Sequence, residues 1–176
     1  MSDVGHRVQV EWIGETVESL EDLLRPGLRI VCVGMNPAPV SVAAGHYYQG
    51  RLGQGFWTRL RAVGLMPSTG GWEDDTALAL GIGFTDVVKR PTPGESGVTA
   101  QEFEYGRDLL LGKLEKYEPG IVLFVFKKAA TTLLGSFTGN GFIGRSLGGA
   151  DVFVMPGPYE SSVTATRTLA ALRERA

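Results

Sequence analysis

The sequence predicts an α/β fold with a mostly parallel sheet covered on both faces. Two observations carry that expectation. Short apolar runs, LRIVCVG (28–34) and IVLFVF (121–126), read as buried strands, and DVFVMPGP (151–158) as a third strand entering a Pro/Gly loop. Segments of helical spacing lie between them, and strands alternating with helices are the pattern of a parallel sheet. Ligands of such sheets sit at the carboxyl ends of the strands. The strand-exit loops GMNPAP, TDVVKRPT and MPGPYESS carry the unusual residues, so they are expected to converge on one site.

VESLEDLLRPG, with leucines at 20, 23 and 24 among acids, predicts a short amphipathic helix stopped by Pro26-Gly27. LRIVCVG follows as the first buried strand, with Cys32 as a small core residue. GFWTRLRAVGL (55–65) resumes helical spacing through Phe56, Leu60 and Val63. After a glycine turn at 70–71, EDDTALAL (73–80) predicts a short helix, and IGFTDVVKRPTPGESG a strand running into a loop. TAQEFEYGRDLLLGKLEKYEPG (99–120) is the longest predicted helix: Thr99 starts it, Phe103, Leu110 and Leu114 face the core, and Pro119-Gly120 ends it. KKAATTLLG (127–135) and VTATRTLAALRERA (163–176) predict the last two helices, and GNGFIGRSLGG (139–149) an exposed hairpin or loop. A length of 176 residues suits a single domain over 1–176, with 1–15 as a loosely attached N-terminal extension.

Composition narrows the function. With 43% hydrophobic and 20% charged residues, the chain is of ordinary globular type. No apolar run approaches the roughly 18 residues of a membrane span, and MSDVGHRVQVEWIG lacks a signal pattern, so a cytoplasmic location is expected. The single cysteine excludes an internal disulfide and any cysteine-ligated cluster or zinc site; no metal or cofactor is expected. A net charge of −2 gives no global basic excess, yet phosphate contacts need only a few well-placed cations. Neither a G-x-S-x-G turn nor a phosphate-cradling G-x-x-x-x-G-K-[ST] occurs, which argues against a small-molecule hydrolase.

DLLRPGLRIVCVGMNPAPVSVAAGHYYQGRLGQGFW resembles the first motif region of the mismatch-specific uracil/thymine DNA glycosylases, within the uracil-DNA glycosylase superfamily. That family has a Gly-Ile-Asn-Pro-Gly loop after its first strand. GFTDVVKRPTPGESGVTAQEFEYGRDLLLGKLEKYEPGIVLF is similar to the family's middle, including its Lys/Asp-Arg-Pro-Thr. The similarity covers most of residues 20–175. It implies a three-layer α/β/α sandwich whose strand ends form a pocket for a flipped-out base. It also implies a monofunctional DNA glycosylase of base excision repair that hydrolyses the N-glycosidic bond of uracil or another deaminated base. The implied partner is DNA, with no membrane involved, and the chain is expected to be a monomer (nucleoid-associated if bacterial).

Breaking an N-glycosidic bond develops positive charge on the sugar and negative charge on the departing base. Asn36, at the family's asparagine position, offers a carbonyl to accept from a water and an amide to donate; capping a turn is its other use. Gly34 and Met35 belong to backbone that approaches the base, and N–H groups within 34–38, Pro37 excepted, can bond a uracil carbonyl. Tyr48 aligns with the ring that stacks on the base, with Tyr47 its rival, and His46 can bond the water or a phosphate. Family members vary at Asp86, so its case is chemical. A carboxylate there can activate the water that Asn36 holds, or cap the loop and pair with Lys89 or Arg90. Lys127 matches a family lysine opening a helix and joins Lys89 and Arg90 in an expected positive rim for phosphates. The polar company of these lysines argues against a Schiff-base lyase step.

The last motif departs from the family's Met-Pro-Ser-Ser-Ser-Ala-Arg or Asn-Pro-Ser-Gly-Leu-Ser-Arg. Gly157 replaces the serine, Pro158 follows, and Ser161 falls at the arginine position. This loop enters the duplex in the family. Tyr159 can still act as a wedge, while Glu160 brings negative charge near phosphates. Selectivity for the opposite base is therefore left open, and the alternative function is a nucleobase-binding domain that retains the pocket with little or no cleavage.

Overall fold

The computed structural model describes residues 4–68 and 70–176. The chain opens with an antiparallel hairpin, β1 (Arg7–Trp12) and β2 (Glu15–Leu20). There follow β3 (Ile30–Gly34), α1 (Pro39–Ala44), α2 (Arg51–Ala62), α3 (Glu73–Ala79) and β4 (Ile82–Asp86). The second half holds α4 (Ala100–Tyr117), β5 (Ile121–Phe124), α5 (Lys127–Leu134), β6 (Gly141–Leu147), β7 (Ala150–Val154) and α6 (Ser162–Arg175). The central sheet has the order β4-β3-β5-β7-β6; its first four strands run parallel, and β6 is antiparallel to β7.

Strand alternation divides the core into two layers. Ile30, Cys32, Phe84, Leu123 and Phe153 point to one face and pack with Trp57 and Leu60 of α2 and Leu169 and Leu172 of α6. Val31, Val33, Val122, Phe124, Val152 and Val154 point to the other, against Phe103, Leu110 and Leu114 of α4 and Ala129 and Ala130 of α5. Helices on both faces of a mostly parallel sheet make the three-layer α/β/α sandwich. Thr99 caps α4 as expected, in a reciprocal capping box with Glu102.

The helix expected over VESLEDLLRPG is a strand. Val17 pairs with Val10 and Ser19 with Val8, and Leu23 then bridges to Phe84 beside the sheet. The leucines at 20 and 23 reach the core from extended chain, because the hairpin partner RVQVEW lies just upstream. Part of the N-terminal stretch expected to be loosely attached is therefore packed. Trp12 is buried and donates from Nε1 to Glu102 of α4 at 3.2 Å. GNGFIGRSLGG forms the edge strand of a hairpin with β7, and its register shifts between Phe142 and Ser146. Such an irregularity blunts an exposed edge.

Candidate active site

The carboxyl ends of β3 and β4 lie side by side, with Gly34 and Asp86 paired in register. The loops leaving them, with the turn before α2, enclose a pocket of about 440 Å³. Gly34, Met35, Asn36, Tyr48, Asp86 and Thr92 all line it. Gly34 is required sterically: a Cβ there would lie 2.3 Å from Asp86 Oδ1. Gly53 does the same for α2, where a Cβ would meet the Tyr48 carbonyl at 2.3 Å. Tyr48 has a φ of +57°, a left-handed conformation that costs a residue with a side chain about 1–2 kcal/mol.

Asn36 is held in one orientation. Its amide nitrogen donates to the Arg90 carbonyl at 2.9 Å and to Thr92 Oγ1 at 2.6 Å, and Thr92 Oγ1 donates on to the Gly94 carbonyl. A carbonyl partner accepts only, so the amide nitrogen is fixed there and the side-chain oxygen remains to accept from a ligand or water. The backbone N–H groups of Asn36 and Ala38 likewise make no hydrogen bond within the described residues.

Asp86 is buried, and its Oδ2 has no hydrogen-bond partner among the described residues. Burial pushes this carboxyl up to about 7; Lys89 opposes the rise, Asp22 adds to it and Lys113 opposes it. The Tyr48 hydroxyl is also buried with no partner among the described residues, although the residue as a whole is partly exposed. Burial first, and then the Asp86 charge, raise its pKa well above the ordinary tyrosine value. A buried donor and a buried acceptor, both unsatisfied, thus share one pocket.

Other expected residues sit elsewhere. Lys89 is buried, donating to the Leu20 carbonyl at 3.1 Å and pairing with Asp22, which Lys113 also holds. It belongs to an internal ion cluster rather than to a surface rim. Arg90 forks onto both carboxylate oxygens of Glu102, at 2.6 and 2.8 Å. The Glu102 carboxyl is lowered to about 2, chiefly by those bonds. His46 does not line the pocket; its Nδ1 lies 2.8 Å from Asp74 and its ring stacks on Trp72. Tyr47 lines the pocket but is buried and donates its hydroxyl to the Glu21 carbonyl, which leaves Tyr48 as the available ring. Lys127 is exposed at the start of α5.

A second pocket of about 420 Å³ adjoins the first through Arg51, Leu52 and Phe126. Its far wall is the loop of Met155, Pro156, Pro158 and Tyr159, with Tyr159 91% exposed. Arg59 of α2 holds this loop, donating to the carbonyls of Pro156, Gly157 and Glu160 at 2.8, 2.9 and 3.3 Å. The sequence reading missed Arg51, Arg59 and Phe126. The spacing of 51, 52, 55 and 59 on one face of α2 was the available signal. In comparison with known protein families, residues 21–175 match the sequence model of the uracil DNA glycosylase superfamily.

Proposed function

The chain belongs to the uracil DNA glycosylase superfamily, whose members are DNA glycosylases, and from that premise we propose a monofunctional hydrolase releasing uracil or another deaminated base from DNA. The observation that carries the reading is the pocket at the ends of β3 and β4. There an oriented Asn36 carbonyl and an unpartnered Asp86 carboxyl sit beside Tyr48. In this reading Asn36 aligns the attacking water, and Asp86 in its ionised form takes the proton. The same charge stabilises the positive sugar as the bond breaks. The Tyr48 ring stacks on the extruded base, a contact of about 1–3 kcal/mol. Free N–H groups at Asn36 and Ala38 suit the oxygens of the departing base. Tyr159, on the loop that Arg59 braces, fills the space left in the duplex.

A second role for Asp86 has its own support. An orphaned acceptor at Asp86 Oδ2 and an orphaned donor at Tyr48 Oη match the N–H and carbonyl of a uracil edge. One experiment separates the roles. Single-turnover release is measured from oligonucleotides with uracil opposite G, opposite A and in single strand, alongside inhibition by free uracil. A general base makes Asp86→Asn slow release about a hundredfold with free-uracil inhibition unchanged. A base reader makes the same variant lose the inhibition. No release from any uracil substrate by folded wild type sinks the uracil reading; retained binding of uracil-containing DNA would then favour a binding domain.

A further inference from the structure

The chain has two histidines, and the fold brings both to one place, outside the pocket. His6 lies just before β1, His46 in the turn after α1, and Asp74 and Asp75 in the first turn of α3. One ligand atom from each of the four lies within 4.8 Å of all the others. His6 Nε2 is 2.6 Å from Asp75 Oδ1, and His46 Nδ1 is 2.8 Å from Asp74 Oδ1. The two imidazole rings meet edge to face at 5.2 Å.

These contacts are unequal. Asp74 is fully buried and is also held by the backbone N–H groups of Tyr47 and Asp75, so it is a fixed orienting group for His46. With Nδ1 engaged by Asp74, His46 presents Nε2, and no hydrogen bond among the described residues uses that nitrogen. The Gly5 backbone passes close to this nitrogen, since a Cβ there would lie 2.6 Å from Nε2. A carboxylate behind an imidazole whose other nitrogen is open is the arrangement that orients histidine toward a metal. Two simple His–Asp clamps would not need to meet at one point.

We propose that His6 Nε2, His46 Nε2 and an Asp75 carboxylate oxygen form a site for a divalent transition metal of the zinc class, with Asp74 orienting His46. Two imidazoles and one carboxylate suit zinc, whereas magnesium and calcium prefer all-oxygen sites. Binding releases the proton between His6 Nε2 and Asp75 Oδ1 to solvent, and a water completes the coordination. The role is structural. The metal ties the N-terminal hairpin to α3 and to the turn whose next two residues are Tyr47 and Tyr48. It does so whatever base the pocket accepts.

The test uses untagged full-length protein, stripped with a chelator and titrated with zinc chloride by calorimetry and by NMR of the histidine Cε1–H signals. With two histidines the spectrum has two such signals. The expected result is one equivalent bound, both signals shifting together, and a rise in Tm. His6→Ala and Asp75→Asn should each weaken binding about 10- to 100-fold, with far-UV circular dichroism confirming that the variants fold. If a variant fails to fold, the wild-type histidine signals decide alone. No stoichiometric binding, a shift of neither or only one histidine signal, or unchanged affinity in folded variants would overturn the site.

Discussion

At the scale of single residues, the pocket holds one ionisable group in an unfavourable place. Asp86 has its pKa raised to about 7 from an ordinary 3.8, with burial as the leading cause. A raised acid binds its proton more tightly in the folded state. The folded state is therefore penalised as pH climbs from about 3.8 to about 7, and the full penalty stands above that. Asp86→Asn removes the charge at nearly constant volume. It should raise Tm by about 5 °C at pH 8, and the gain should vanish near pH 4; equal gains at both pH values would show that the charge is not the cause. The same group makes the proposed reaction pH-dependent. A general base works when deprotonated, so single-turnover release should rise with pH through about 7 and level off, and Asp86→Asn should flatten that profile. Asn36→Ala is expected to lower the rate about a hundredfold at every pH, since it removes the water's acceptor rather than a titrating group. Thr92→Val should share part of that loss, because Thr92 Oγ1 receives the Asn36 amide at 2.6 Å.

At the scale of elements, the strap between α2 and the loop at 155–160 governs the proposed wedge. Arg59 donates to carbonyls at Pro156, Gly157 and Glu160, and Asn140 steadies Glu160 at 2.6 Å. Arg59→Gln should speed hydrogen exchange at residues 157–160. It should also slow release from duplex substrate about tenfold, roughly the 1.4 kcal/mol of one charge-assisted hydrogen bond, while release from single strand changes less. Equal losses on both substrates would mean that the strap serves the pocket instead. A second hub, Glu102, joins Trp12 of β1, the Thr99 cap and Arg90. Its lowered carboxyl adds stability above the unfolded value of 4.5 that is lost as pH falls toward about 2, so the deficit of Glu102→Gln should shrink below pH 4.5. The sequence revealed those elements whose local signals agree with their surroundings, such as the buried strands 28–34 and 121–126 and the capped helix from Thr99. It misled at VESLEDLL, because leucines at 20, 23 and 24 fit a helical face and also a strand that bends toward the core. The lining of the candidate pocket was legible at Gly34, Asn36 and Asp86, on loops that leave buried strands. It was illegible where a distant partner decides: Lys89 looked like a surface cation until Asp22, far back in the chain, drew it inside.

At the scale of the whole molecule, the proposed binding to DNA has to work against a net charge of −2. Of the three cations expected as a rim, Lys89 is neutralised by Asp22 and Arg90 by Glu102, and Lys127 remains exposed. Arg51, exposed where the two pockets meet, takes a place on the rim that the motifs did not reveal. Arg59 is nearby but spends its guanidinium on the loop carbonyls. A surface with so few free cations beside the cleft can neutralise about two or three phosphates, so the logarithm of affinity should fall with the logarithm of salt at a slope of about −2 to −3. Lys127→Ala and Arg51→Ala should each reduce that slope by about one, with weaker binding that is the same for every flanking sequence. Lys89→Ala should leave the slope alone and instead destabilise the fold, because it removes one of the two lysines that pair with a partly buried Asp22. Fluorescence anisotropy of a labelled duplex between low and physiological salt measures all three variants at once. A wild-type slope much steeper than −3, or a slope reduced by Lys89→Ala, would mean that the DNA lies across a different face. The loop of Tyr159 and the pocket of Asp86 would then have to be reached from there.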